Sequence, residues 1–463
     1  MGSTAEITKA VAEYIVESTD PPAELRELAV RTLVDTVGVL IAAREEEAVE
    51  LQRSVARTGG DGTVSVLYDG SKTDMVTAAL LNGTAAHALD YDLSGLVRGH
   101  TGAIIWPAAL AVAEQVGASG RDLVDAALVG FEVCAAVADG LDIPDHHARW
   151  HSTSTLGIFG AVAAAARLLG LDVEQTRYAL GIVGSMSAGS KQNFGTMTKP
   201  LHAGMAASNA VYAAQLASIG FTASEDQLEG AAGFYAAYSN KANPERVLET
   251  LAKKWTLADR GFSGLRMKLY PCCYSSHRAI KAAIQLHESG LDPASIERIE
   301  VTMAPGSLDA IVHHRPKTGE EAKFSGEYVI AAALLDGAVR LESFDEATLE
   351  RDDIRRLIDR TTLSEAEHPP VGDPTFVGKF FATLQVKTAT GEEIGRADVL
   401  DGEEFLTTTR EAIEAKFRDC VEFSQTGWSA SDLLDELWGI EAAPEFRGFR
   451  ALTTPAKSGH VAA

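Results

Sequence analysis

TLGIFGAVAAAARLLG, residues 155 to 170, covers nearly every face of a helix with alanine, glycine and larger apolar side chains. Small residues on so many faces imply helices packed close against one another. The same texture runs on to about Ala217 and also fills Trp106 to about Gly140, as Ala-rich amphipathic runs between short Gly-containing breaks. Further upstream, Ile7, Val11, Tyr14 and Ile15 share one helical face behind a Ser3 cap, with Glu6 completing a capping box. Pro21 and Pro22 stop that helix, and Leu25, Leu28, Leu33, Val37 and Leu40 resume at helical spacing. The first half of the chain is therefore predicted to be helical almost throughout.

The pattern changes after about Ser263. Ile299, Val301 and Met303 alternate with charged or polar neighbours, which is strand periodicity. Ala382, Leu384 and Val386 do the same before a turn at Thr390 and Gly391 and a second short strand near Ile394. Helical runs lie between, near His277 to Leu286 and from Tyr328 to Leu335. Ile413 and Phe417, then Leu433, Leu434 and Leu437, restore helical spacing. The expected fold is mainly α with an α+β insert. A helical domain over 1–263 is followed by an α+β domain over 264–400, and 401–463 returns to the helical domain with a frayed tail, KSGHVAA.

The 463 residues, 46% of them hydrophobic and 23% charged, suffice for a large core in two domains. A formal net charge of -24 repels nucleic acid and anionic membranes at long range. It also repels an anionic substrate, so a carboxylate site has to gather Lys, His and N–H groups locally. The opening segment has no basic leader with an apolar core, and no stretch is apolar enough to span a membrane, so a cytoplasmic location is expected. Cys134, Cys272, Cys273 and Cys420 form no CxxC and no regular spacing, which disfavours a disulfide framework, a zinc site or an iron–sulfur cluster. No GxGxxG in strand context, P-loop or GxSxG is present, which demotes dehydrogenase, kinase and α/β-hydrolase readings.

Five segments carry the polar residues that need a reason. NGTAAHALDYDLSGLVRGHTGAIIWP, 82 to 107, places His87, Asp90, Asp92, Ser94 and His100 within fourteen residues. A solvated loop with a helix cap is the bland reading, and HxxDxD is a weak metal pattern. A carboxylate and an imidazole beside an apolar wall fit general acid/base work better. RWHSTSTLGIFG, 149 to 160, sets His151 directly before a helix, either as a cap-region residue or facing a carboxylate at the helix N-terminus. SMSAGSKQNFGTMTKPLHAG, 185 to 204, carries Lys191, Lys199 and His202 on a Gly- and Ser-rich background. A lysine before proline at a helix start is ordinarily exposed; in an acidic protein it is also the natural counter-charge for a substrate carboxylate. MKLYPCCYSSHRAIKAA, 267 to 283, puts His277 at the mouth of a helix, and KFSGEYVIAAALLDG, 323 to 337, opens an apolar helix with Tyr328, by default a core or rim tyrosine.

Taken in this order, the five segments resemble the MmgE/PrpD family across most of residues 5 to 440. That resemblance implies a large helical domain built from both chain ends, an inserted α+β lid domain and a homodimer. It also implies 2-methylcitrate dehydratase, cis-aconitate decarboxylase or iminodisuccinate epimerase chemistry. The decarboxylase branch's active-site pattern falls on Asp90, Tyr91, Asp92, Ser94 and His100; His151, Lys199, His277 and Tyr328 match its remaining positions. Ser94 replaces that branch's Thr, Thr101 stands where many members have Pro, and Ser152 where Pro is common. By resemblance the catalytic residues are Asp90, His100, His151, Lys199 and His277, and the substrate contacts Ser94, Lys199, His151 and Tyr328. No cofactor and no metal are expected.

The expected function is a lyase acting on a small di- or tricarboxylate, cis-aconitate or methylcitrate-like, by proton transfer with decarboxylation or dehydration. An epimerase of an iminodisuccinate-like dicarboxylate is the alternative, needing two opposed acid/base groups instead of one proton donor. A non-catalytic dicarboxylate-binding protein is a third reading, disfavoured because a binder needs the cations but not the base. The expected partners are the polycarboxylate and a second copy of the chain.

Overall fold

The computed structural model describes residues 6–56, 62–372, 380–400 and 402–452. Ser3 and the KSGHVAA tail lie outside the described residues. Helix Ile7–Glu17 starts after Glu6, whose side chain makes no cap hydrogen bond.

Contacts divide the chain into two compact units, the first comprising Met1–Gln192, Thr198–Met267 and Glu404–Ala463. Its frame consists of α1 (Ala23–Ala42), α2 (Met75–Ala88), α3 (Gly102–Val116), α4 (Gly120–Asp139), α5 (Ser152–Leu168), α6 (Val173–Met186) and α7 (Thr198–Ser218). The chain marks the helix ends locally. Asp74 accepts from the N–H groups of Val76 and Thr77 at the start of α2, Ser119 caps α4, and Asp172 with Gln175 forms a capping box on α6. Gly117 ends α3 in the left-handed conformation at φ 66°.

The small residues do what their distribution suggested. A Cβ on Gly204 of α7 would lie 2.1 Å from Thr84 Oγ1 and 2.3 Å from the Leu80 carbonyl of α2. One on Gly130 of α4 would lie 2.6 Å from the Gly160 carbonyl of α5. Backbones therefore touch across both pairs, and a methyl group at either position would force the helices apart. The helix Arg410–Phe423 returns to pack on α1, with Phe417 against Gly38. Two short strands, β1 (Ser94–Gly95) and β2 (Leu265–Arg266), pair antiparallel. Among the described residues no helix is long and apolar enough to cross a membrane.

The second unit comprises Asn193–Met197 and Lys268–Glu403. It contains α8 (His277–Glu288) and α9 (Gly326–Asp336) with a four-stranded sheet of β3 (Ile296–Met303), β4 (Thr361–Glu365), β5 (Ala382–Thr388) and β6 (Gly391–Ala397). The order is β4-β3-β5-β6, with β3 and β4 parallel and the other pairs antiparallel. Ile299, Val301, Met303, Leu384 and Val386 are buried in its core, as their alternation requires. The β5–β6 turn is held by Thr388 Oγ1, which accepts from the N–H groups of Thr390 and Gly391. The sequence reading did not find β4. Its residues, TTLSE, are half-exposed or exposed throughout, so this edge strand shows no apolar alternation. The fold class is the one expected: mainly helical, with an α+β part.

Candidate active site

The centre of the first unit is a polar cluster set by three helix ends. His87 lies in the last turn of α2, His151 stands at the N-cap of α5, and Lys199 lies in the first turn of α7. The loop from Asp90 to His100 closes it. In that loop Asp90, Leu96 and Arg98 have φ of 49°, 50° and 53°. Three non-glycine residues in the left-handed region so close together store strain of the sort that surrounding structure must impose. The constraint is visible: Ser94 pairs with Arg266, and the His100 N–H donates to Thr153 Oγ1 at 3.0 Å. On the far side, the buried Lys416 from the returning helix binds Asp35 at 2.7 Å and donates to the Tyr91 carbonyl at 2.7 Å.

Within this frame Lys199 Nζ lies 2.6 Å from Asp90 Oδ1 and 2.8 Å from His87 Nε2. A cation in the first turn of a helix faces the positive end of the helix dipole, so burial there demands a counter-charge, which Asp90 provides. An ammonium has no lone pair to offer. His87 Nε2 must therefore accept from it, and the His87 ring proton resides on Nδ1, which donates to Asp92 Oδ1 at 3.0 Å. The other Asp92 oxygen is 3.3 Å from His100 Nδ1, while His100 Nε2 is 3.7 Å from Asp90 Oδ1. His100 is thus bracketed by two carboxylates. The ring of His151 stacks on His87 with centroids 5.4 Å apart, and its Nδ1 is 3.2 Å from Nδ1 of His202.

Burial and the Lys199 charge push His87 down to about 3, against the opposing pull of Asp92. The same two causes, burial first, hold His151 well below the ordinary histidine range and lower His202 as well. For Asp92, burial alone would raise the carboxyl, but the charges and hydrogen bonds of His100 and His87 outweigh it and keep it below the usual carboxylate range. At neutral pH the cluster therefore holds neutral imidazoles at His87, His151 and His202 beside an ionised Asp92.

Acid should undo this arrangement early. His87 and the fully buried His146, the latter pushed down to about 4, both sit below the ordinary value of 6.5 in the folded state. The unfolded chain then binds more protons between the folded and unfolded values, so stability falls as pH drops below about 6.5. At about pH 5 each such histidine costs about 2 kcal/mol, whereas the Asp92 contribution is lost only below the carboxylate range. Thermal melts should show Tm declining between about pH 6.5 and 5; a flat Tm there would contradict neutral burial of these rings.

His87, Asp92 and His100 also place one ligand atom each within 4.8 Å of one another, a spacing a metal ion could use. The ring proton of His87 is directed at Asp92, and a metal on that nitrogen would have to displace it.

Of the residues singled out from sequence, Asp90, His100, His151 and Lys199 come together. Ser94 is buried in β1 opposite Arg266. His277 and Tyr328 belong to the second unit. His277 opens α8 with Nε2 3.3 Å from the Cys272 carbonyl, between the rings of Tyr270 and Tyr274. Tyr328 is buried in the core of that unit, its hydroxyl donating to the Ser343 carbonyl and its ring beside Phe344. His87, Asp92 and His202, which the sequence places in the same segments without an individual role, join the cluster as well. Lys416 carries no local signal in the sequence.

Fold and site together define a mainly helical chain of two units with a buried lysine–carboxylate–histidine network in its helical unit. The MmgE/PrpD N-terminal domain matches residues 5–247 and the MmgE/PrpD C-terminal domain residues 270–438. The chain belongs to the MmgE/PrpD family. It is similar to cis-aconitate decarboxylase of Homo sapiens, 29% identical over 401 residues, covering 84% of this chain and 82% of that protein. The Mus musculus cis-aconitate decarboxylase is 29% identical over 406 residues, covering 84% and 80%. That of Aspergillus terreus is 26% identical over 395 residues, covering 79% of each.

Proposed function

We propose that this chain is a lyase that decarboxylates a small di- or tricarboxylate of the cis-aconitate type, by proton transfer without a metal or an electron-sink cofactor. The observation that carries the reading is the Lys199–Asp90 pair joined through His87 and Asp92 to His100. Breaking the bond to the departing carboxylate leaves an electron pair on carbon, which needs nearby positive charge and then one proton. Lys199 supplies the charge in an otherwise acidic molecule. His151, at the N-terminus of α5, helps hold a remaining carboxylate. His100, the cluster member between both carboxylates, is the proton donor, with Asp90 and Asp92 fixing its orientation. Ser94 orients the substrate. For His277 and Tyr328 the family resemblance alone supports a part in the reaction. The relatives' names favour decarboxylation over the dehydration and epimerisation also found in the family.

A panel of di- and tricarboxylates, assayed for CO₂ release after dialysis against a chelator, tests this. Release of CO₂ undiminished by chelation is expected; activity that vanishes and returns with a divalent ion would instead make His87, Asp92 and His100 metal ligands. The active species is proposed to be a homodimer, so light scattering at micromolar concentration should report about twice the 49.1 kDa chain mass. A value at the chain mass would contradict the dimer.

A further inference from the structure

Decarboxylation as proposed above consumes a proton in each turnover. The C–C bond breaks, its electron pair stays on carbon, CO₂ departs, and a new C–H bond takes the proton. A donor used once has to be refilled; the His100 side chain is 13% exposed, and His87, Asp92 and His151 around it are almost completely buried. His202 differs from them. It is only half-buried and lines a pocket of about 220 Å³ where the end of α6 meets the start of α7. Gly189, Ser190, Met205 and Asn209 share that lining, and Ser190 and Met205 are exposed. On its other side, His202 Nδ1 is 3.2 Å from Nδ1 of His151. Two ring nitrogens at that distance share one hydrogen, donated by one and accepted by the other. Gly189 keeps the junction open: a Cβ there would lie 2.3 Å from Ser154 Oγ and 3.4 Å from both His151 Cβ and His202 Nδ1.

We propose that His202 is the proton-delivery residue of this site, carrying protons from the pocket to His151. A proton from water or buffer binds His202 at Nε2 as its Nδ1 proton passes to Nδ1 of His151. His151, whose ring stacks on His87 in the cluster, then releases its Nε2 proton to the neutral ring left on His100 after transfer to carbon. The rings reset by rotation, and no oxidant or reductant takes part. Burial and the Lys199 charge keep both imidazoles neutral at rest, so neither traps the proton it receives. This rests on the decarboxylase reading.

The test uses the full chain with His202→Gln, following CO₂ release against the concentration of added imidazole. A fall in kcat of about tenfold or more is expected, with recovery as imidazole rises and a solvent deuterium isotope effect larger than that of the wild type. Adding Met205→Trp, which narrows the pocket mouth, should weaken the rescue. The inference is overturned by a His202→Gln enzyme with wild-type kcat. It is equally overturned by a folded variant whose lost activity imidazole does not restore, since His202 would then only position His151. Wild-type protein that releases no CO₂ from any acid tested removes the decarboxylase reading and this inference together, whereas CO₂ release without imidazole rescue removes the inference alone.

Discussion

Lys199→Met is expected to lower both stability and turnover, because the side chain it removes neutralises a buried carboxylate. Lys199 and Asp90 are each 5% exposed at the side chain, and their contact is 2.6 Å. Met preserves most of the stem's packing but leaves Asp90 buried without its counter-charge, and breaking such a pair from one side costs about 3 to 5 kcal/mol. The His87 ring loses the donor that fixes its tautomer as well, so the hydrogen bond to Asp92 is no longer specified. A fall in kcat/KM of about tenfold or more should follow from the missing charge alone. Denaturant unfolding and steady-state kinetics on the same preparation check both parts. If the variant keeps wild-type kcat/KM with an unchanged fold, the TKPLH segment lies outside the working site.

Asp90→Asn should separate chemistry from folding. The amide keeps the shape and offers Lys199 a carbonyl oxygen, so the stability loss should be smaller than for Lys199→Met. The charge that balances Lys199 and faces His100 is gone, and kcat should fall by about 10² to 10⁴ with KM little changed. Combining the two substitutions removes both members of the pair. The double variant should regain much of the stability that Lys199→Met loses, because no uncompensated carboxylate remains, yet stay as inactive as the worse single variant. Strictly additive stability losses would mean that the two groups are not coupled, against the geometry described above.

What could be read from the chain follows from how local each signal is. The helical texture was legible because Gly83, Gly130, Gly160 and Gly204 sit at contacts where backbones meet, and such contacts need small residues at helical spacing. The strands around Val301 and Leu384 were legible because one face is buried. Strand β4 was not, since an edge strand with an exposed face has no apolar pattern to show. The site divides in the same way. His87, Asp90, Asp92 and His100 lie in one segment and could be suspected together, although spacing alone did not reveal that Asp92 bridges two histidines while Asp90 serves the lysine. Lys199 is 109 residues from Asp90, and only the ordered resemblance of several segments linked them. Lys416, 325 residues beyond Tyr91, joins through tertiary packing that no local pattern encodes.

The most direct test of proton-transfer decarboxylation is to run wild-type protein with cis-aconitate in deuterated water and follow it by NMR. The account predicts one CO₂ released for each product molecule, with a single deuterium in that product from the protonation of carbon. Loss or addition of water with no CO₂, or deuterium entering unreacted or inverted substrate while all carboxylates remain, would contradict it.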